Sequence, residues 1–303
     1  MTTFGFIGLG AMGKHMVRHM LQKGLQVVVY DKDKSAVAEA VNIGATTAES
    51  VRDLADKVQV VMVCLPTPDI VETVALGKDG VIAGNTVKVF IDHSTTGPTI
   101  ARKISTRLAQ HKIVALDAPL TGGVAGAEAG LLSVLVSGPV TGFELAKPAL
   151  EKFGANVAHI GEQPGLGQAL KLVNNMIAGA ALITAAEAVL FGVKAGIPAE
   201  TILSLLSKST TAKGFAVETL LREKVLPRNF DLGFRMDLMR KDMRLTLSEA
   251  EAVGSPMLAC SVVKQFFDAA VADGFGDEDM TKVVLQLEKL AHAEIKQKSE
   301  SKA

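Results

Sequence analysis

The stretch "FGFIGLGAMGKHM", residues 4–16, constrains the fold more than any other. An apolar run of strand length ends in Gly8, Gly10 and Gly13, and an amphipathic pattern opens at the last of them. G-x-G-x-x-G between a strand and a helix is the opening unit of a dinucleotide-binding sheet. Each glycine serves a separate physical need. Gly8 allows a tight turn, Gly10 the close approach of a pyrophosphate, and Gly13 close helix–strand packing. With Ala11 and Met12 they bring the free N–H groups of a helix start toward phosphates. The second strand ends "VVVYD", which puts Asp31 about 20 residues on, the place of a ribose 2′-hydroxyl acceptor. A carboxylate there repels a 2′-phosphate, so NAD is the expected cofactor; the adjacent Lys32 leaves NADP possible.

The alternation continues through the first half. "QVVVY" (26–30), "VQVVMVCL" (58–65), "VKVFID" (87–92) and "KIVAL" (112–116) read as strands, with "LLSVLVSG" (131–138) and "NVAHIG" (156–161) adding two more. Amphipathic segments such as 13–24 and 97–110 lie between strands, which predicts a parallel doubly wound sheet. After Gly161 strand signals largely stop. Residues 167–196 read as one long helix, followed by helical patterns at 198–209, 215–226, 234–254, 256–274 and 277–296. The expected organisation is a Rossmann-type α/β domain over 1–162 and an all-α domain over 163–303, with a frayed polar tail "KQKSESKA".

Several function classes recede on composition. Lys and Arg (32) balance Asp and Glu (32), and there is one Tyr and no Trp. Such a chain has neither the basic surplus nor the stacking platforms of a nucleic-acid binder. Cys64 and Cys260 stand far apart among apolar residues and read as reduced thiols of a cytoplasmic protein. The six His lack metal-ligand spacing, so no metal is expected. A strand follows Met1 at once, with no basic segment or cleavage site of a leader. The apolar run 176–193 has nearly membrane-spanning length but contains Glu187, and a buried helix between packed neighbours is the expected reading.

"GLGQALKLVNNMIAG" (165–179) poses a different problem. Lys171, Asn174 and Asn175 share one face of an otherwise apolar helix. They read either as a lysine snorkelling to water beside two amides, or as a cation and two orienting amides at a reaction site.

Four stretches in register resemble the β-hydroxyacid dehydrogenase family, which includes 3-hydroxyisobutyrate dehydrogenases and tartronate semialdehyde reductases. They are "GFIGLGAMG", "DAPLTGG" (117–123), "GLGQALKLVNN" (165–175) and "RKDMRL" (240–245). The second is similar to the family's D-x-P-V-S-G-G, with Leu120 for Val and Thr121 for Ser. The resemblance spans residue 4 to about 290. It implies that Lys171 is the catalytic acid–base and Asn175 its conserved partner. It further implies that Thr121, Gly122, Gly123 and Asn174 line the substrate site, and that Lys241 serves substrate and cofactor. Leu65, Pro66 and the nicotinamide-side Thr95 join the cofactor residues. A substrate carboxylate suits Thr121 and the approachable N–H groups of Gly122 and Gly123.

The resemblance implies reversible oxidation of a small anionic 3-hydroxy acid, with Lys171 taking the hydroxyl proton as hydride leaves for the nicotinamide. Decarboxylating relatives carry His where Asn174 stands, so no loss of carbon dioxide is expected. Imine reductases share the architecture but generally lack the Lys. A homodimer or homotetramer through the helical domain is implied, with no nucleic-acid or membrane partner. Two alternatives stay open. One is a reductase of a sulfonated or dicarboxylic semialdehyde (sulfolactaldehyde or 2-hydroxymethylglutarate type), for which the hydroxyls and Lys213 of "SKSTTAKGFAVE" (207–218) could hold a second anion. The other is a non-catalytic NAD-binding module. His93 beside Asp92, at the end of a strand, reads as incidental rather than chemical.

Overall fold

The structure, a computed structural model, describes residues 2–297. The chain forms two compact units, Met1–Leu172 and Val173–Ala303. Residues 298–303, most of the expected frayed tail, lie outside the described residues.

Among the described residues the first unit is built on nine strands: β1 (Phe4–Ile7), β2 (Val27–Tyr30), β3 (Thr46–Thr47), β4 (Val60–Val63), β5 (Val89–Asp92), β6 (Val114–Asp117), β7 (Leu120–Thr121), β8 (Leu132–Ser137) and β9 (Gly154–Gly161). Their order is β3-β2-β1-β4-β5-β6-β8-β7, with β9 paired to β8. Helices α1 (Gly13–Gln22), α2 (Lys34–Asn42), α3 (Val51–Lys57), α4 (Pro68–Leu76), α5 (Pro98–Ala109), α6 (Gly123–Ala129) and α7 (Val140–Phe153) connect them. The central strands β1, β4 and β5 are apolar, Asp92 at the end of β5 apart, because both their faces are buried. Phe4, Phe6, Val29, Met62 and Ile91 pack in one core with Met16 and Phe153. Ile7, Val61, Val63 and Phe90 pack in another with Leu54 and Leu108.

The expected parallel doubly wound sheet is present, with a departure at one side. β8 runs antiparallel to β6 and to β7, while β9 is parallel to β8. The segment between β6 and β8 holds β7 and α6, and β7 pairs with β8 as its antiparallel neighbour. The short strands β3 and β7 were beyond the reach of the apolar pattern, since each has only two residues.

Helix α8 (Leu166–Lys194) starts in the first unit and continues into the second, which adds α9 (Ala199–Leu206), α10 (Met236–Ala252), α11 (Leu258–Ala270) and α12 (Val284–Ala291). The segment read as helix at 215–226 is a π-helix over Ala216–Val225. After Gly161 every regular element among the described residues is helical, apart from one bridge between Arg235 and Asp279. Leu182, Ile183 and Leu190 of α8 pack with Leu203, Leu221, Met239, Met243 and Phe267 in a single core.

The expectation that α8 is buried all round needs correction. It is the one helix among the described residues long and apolar enough to cross a membrane, and only 33% of its most apolar window is buried. Val173, Ile177 and Phe191 are exposed, the last at 77%. Hydropathy reports how apolar a helix is, not which of its faces the same chain covers.

Candidate active site

Strands β1, β2, β4, β5 and β6 are mutually parallel, so their carboxyl ends share one edge. The chain moves outward from β1 through β2 to β3, then returns to β4 on the other side. This reversal makes a crevice at the ends of β1 and β4, the place where doubly wound sheets take ligands.

The glycine turn occupies that crevice. Gly8 has φ +100°, a left-handed conformation that favours glycine, and a methyl there would strike the Cys64 carbonyl. A methyl on Gly13 would collide with the Gly8 carbonyl oxygen and press on Phe6. At exposed Gly10 nothing lies within 4 Å of an added methyl. Helix α1 begins at this point with no side-chain cap and no acid in its first turn. An anion can therefore approach Gly10, Ala11 and Met12 in the field of the helix dipole. Asp31, at the end of β2, accepts from the Leu9 N–H at 2.6 Å and from the Asp33 N–H at 2.9 Å. Its carboxylate is thereby held beside the turn. These residues fit a dinucleotide: an open pyrophosphate cradle with a carboxylate on the neighbouring strand. From β2 to β5 is three strand spacings, about 14 Å along the edge.

The edge continues through Leu65 and Pro66 after β4. The Leu65 N–H donates to Ser94 Oγ at 2.9 Å, which ties this loop to the Thr95 loop after β5. Beyond β6, Thr121 closes β7 opposite Ser133, and Gly122 and Gly123 turn the chain into α6 with φ +117° and +62°. Both glycines are exposed and Thr121 is half-buried.

The start of α8 is bound to this edge by a buried polar network. Asp117 Oδ1 accepts from the Gly165 N–H and the Ser137 hydroxyl, both at 2.7 Å, and Oδ2 accepts from the Gln168 N–H at 3.0 Å. Ser137 Oγ accepts from the Gly167 N–H at 2.9 Å. Gln168 reaches the loop of Ser94, Thr96 and Gly97, and half-buried Lys171 follows one turn later.

The second unit collects the remaining residues. Asn174 Nδ2 donates to Asn175 Oδ1 at 2.9 Å. The buried Asn175 donates through Nδ2 to Asp242 Oδ2 at 2.6 Å. Lys241 Nζ lies 3.2 Å from Asp242 Oδ1, an ion pair outside hydrogen-bond angles. Asp242 thus joins Asn175 to Lys241, and sequence reasoning missed it. A signal was present: Met239, Asp242, Met243 and Thr246 form one buried helical stripe, so an Asp was sitting on a core face. Gln168 was missed as well, although a Gln at the buried start of an apolar helix needs partners for both ends of its amide.

His93 is a core residue. Nδ1 faces the Ala118 carbonyl at 2.8 Å, and the ring lies against Phe6 and Phe153. Burial pushes its pKa down to about 4, so the imidazole is neutral. In the 207–218 segment Ser209 Oγ accepts from the N–H groups of Thr211 and Ala212, which spends that hydroxyl on closing the turn. Among the described residues no group of three or more His, Cys, Asp or Glu could hold a metal ion.

Asp92 gives a pH-dependent expectation. Burial pushes its carboxyl up to about 6 and the nearby Asp117 adds to the rise, against hydrogen bonds from Ser94 and Thr96. The ionised form is thus disfavoured in the folded state. Stability attributable to Asp92 is full below its ordinary value of 3.8 and declines as pH rises to about 6. Asp92→Asn has no charge to bury. The stability difference between variant and parent should move in favour of Asn by about 2 kcal/mol between pH 4 and pH 7. Urea unfolding of both proteins across that range measures it, and a pH-independent difference contradicts it.

Comparison with known proteins follows the two units. A family model described as the NAD binding domain of 6-phosphogluconate dehydrogenase matches residues 3–161. A second, described as the NAD-binding of NADP-dependent 3-hydroxyisobutyrate dehydrogenase, matches residues 165–287. The chain is 35% identical to the 2-(hydroxymethyl)glutarate dehydrogenase of Eubacterium barkeri, over 92% of this chain and 93% of that one. It is 38% identical to a 3-hydroxyisobutyrate dehydrogenase of Pseudomonas aeruginosa, over 84% and 87%. Among solved structures, a Mycobacterium tuberculosis 3-hydroxyisobutyrate dehydrogenase with L-serine matches with a TM-score of 0.85 at 31% identity, covering 95% of this chain and 99% of that one.

Proposed function

The chain belongs to the β-hydroxyacid dehydrogenase family, and on that premise we propose that it moves a hydride between a nicotinamide cofactor and a small 3-hydroxy acid or its semialdehyde, without loss of carbon dioxide. It is an NAD(P)-dependent dehydrogenase acting on a hydroxyl group. One observation carries the substrate reading: α8 begins hydrogen-bonded to the loops after β5 and β6, so Lys171 comes one turn from the edge that bears Thr95 and Thr121. We take the cofactor domain as residues 1–162 and the substrate domain as 163–303.

In this reading Gly8, Gly10, Ala11, Met12, Gly13 and Asp31 hold the adenosine and pyrophosphate half. Leu65, Pro66, Thr95 and Lys241 flank the nicotinamide half. The cofactor, when bound, supplies the hydride acceptor or donor. Lys171 takes the hydroxyl proton on Nζ during oxidation and returns it during reduction. Asn175 orients the reacting group, held in turn by Asp242, and Asn174 completes that polar face. Thr121 with the N–H groups of Gly122 and Gly123 takes the carboxylate.

A dicarboxylic substrate is the second reading, favoured by the likeness to a 2-(hydroxymethyl)glutarate dehydrogenase. We place the protein in the cytoplasm, with Cys64 and Cys260 outside any disulfide. The exposed apolar residues of α8, with Leu258 and Val262 on α11, support a homodimer or homotetramer. A lipid-spanning role fits poorly, since the other face of α8 is packed in a protein core.

The test is steady-state oxidation of 3-hydroxyisobutyrate, 3-hydroxypropionate, L-serine and 2-(hydroxymethyl)glutarate with NAD⁺ and with NADP⁺. A carboxylated 3-hydroxy acid should turn over, and NAD⁺ should be preferred because Asp31 repels a 2′-phosphate. Asp31→Ser combined with Lys32→Arg should shift preference toward NADP⁺ by removing that repulsion and adding a bidentate partner. Better use of NADP⁺ by the parent protein removes Asp31 from the ribose.

A further inference from the structure

Gln168 is fully buried, at 0% exposure, in the first turn of α8. Its amide is spent on one loop. Oε1 accepts from the N–H groups of Thr96 at 2.9 Å and Gly97 at 3.2 Å, while Nε2 donates to the Ser94 carbonyl at 2.9 Å. These backbone groups bracket Thr95. The same loop is held from below by Asp92, which accepts from the Ser94 N–H at 2.8 Å and from the Thr96 hydroxyl at 2.9 Å. Asp117 pins the helix end that carries Gln168. Three residues on lies Lys171, on the same helix face and about 4.5 Å along the axis.

We propose that Gln168 is a positioning residue that sets the separation between the Thr95 loop and Lys171, and so the alignment of the nicotinamide side with the proton-transferring group. The proposal rests on the reading of Lys171 and Thr95 given above. Gln168 makes no demand on the loop's side chains. It reads only backbone, with one acceptor for two N–H groups and one donor for a carbonyl. An apolar residue of similar size leaves those three buried groups unpaired, and the loop must move to find other partners. Ionised Glu can still accept twice but sets a carboxylate oxygen against the Ser94 carbonyl. Protonated Glu reproduces the whole pattern, since its O–H can donate where Nε2 did.

The experiment compares Gln168→Met and Gln168→Glu with the parent, measuring thermal unfolding, NADH binding by fluorescence, KM, and kcat as a function of pH. Gln168→Met should fold, bind NADH within about threefold of the parent, and lose about 10²-fold in kcat with little change in KM, the cost of a displacement near 1 Å between reacting groups. For Gln168→Glu the ratio of its kcat to that of the parent should rise as pH falls, because burial carries a Glu into a range where it takes up a proton. A role confined to folding would lower the unfolding temperature and leave kcat in place. Folded Gln168→Met with kcat within threefold of the parent overturns the proposal. If Gln168→Met does not fold, a pH-independent ratio near one for Gln168→Glu overturns it. Lys171→Ala separates the two readings. If it is inactive while Gln168→Met is parent-like, only the positioning role falls. If it is active, the assignment of Lys171 falls first.

Discussion

Lys171→Ala is expected to lose about 10²–10⁴-fold in turnover while still binding NADH nearly as the parent does. The proton of the substrate hydroxyl must leave as hydride leaves carbon, and on the proposed reading Lys171 takes it, one turn beyond the Gln168 that is bound to the Thr96 N–H and to Asp117. The residues proposed to hold the cofactor, from Gly8 to Gly13 and at Asp31, lie on other elements and should keep their geometry. Loss should therefore fall on kcat, with NADH affinity as the control that the first unit is intact. Turnover above about a tenth of the parent's value takes Lys171 out of the mechanism.

Removing the substrate's carboxylate should have an effect at least as large. A site built to hydrogen-bond a group rejects analogues that lack it by roughly 10⁴–10⁵, because its own polar groups are then left unpaired. At the end of β7 a half-buried hydroxyl, Thr121, adjoins two exposed glycines whose positive φ turns their backbone toward α6. Such a turn can take an anion and gains little from a neutral chain end. Comparing kcat/KM for 3-hydroxypropionate and 1-propanol tests this. The contrast should show mainly in kcat/KM, since the anion anchors the reacting carbon against the cofactor. Values within about tenfold of each other would reduce Thr121, Gly122 and Gly123 to a structural turn.

What could be read along the chain differs in kind from what could not. The G-x-G-x-x-G turn, the alternation of strands and helices, and the change to all-α after Gly161 are each written in contiguous residues. Their physics is local: period, turn chemistry, and a βα unit whose length puts Asp31 beside Leu9. The polar face of Lys171, Asn174 and Asn175 was equally legible, because helical spacing alone brings three such residues together.

The partners of those polar groups were decided by tertiary structure. Asn175 and Asp242 are 67 positions apart, and Gln168 lies 72 from Thr96 and 74 from Ser94. Sequence spacing says that a buried amide must be paired, but not with what, since the pairing depends on which loops the sheet order brings to one edge. The direction of β8 is of the same kind, because an apolar run reads alike in a parallel or an antiparallel sheet. So is the uncovered face of α8: hydropathy along the helix is set by the residues, whereas its coverage depends on which other helices fold against it. By itself, then, the sequence determined the fold class and the chemical types at the candidate site. Only the packed chain decided which buried groups hold them in place, because hydrogen bonds act over about 3 Å and the residues that make them arrive from distant parts of the sequence.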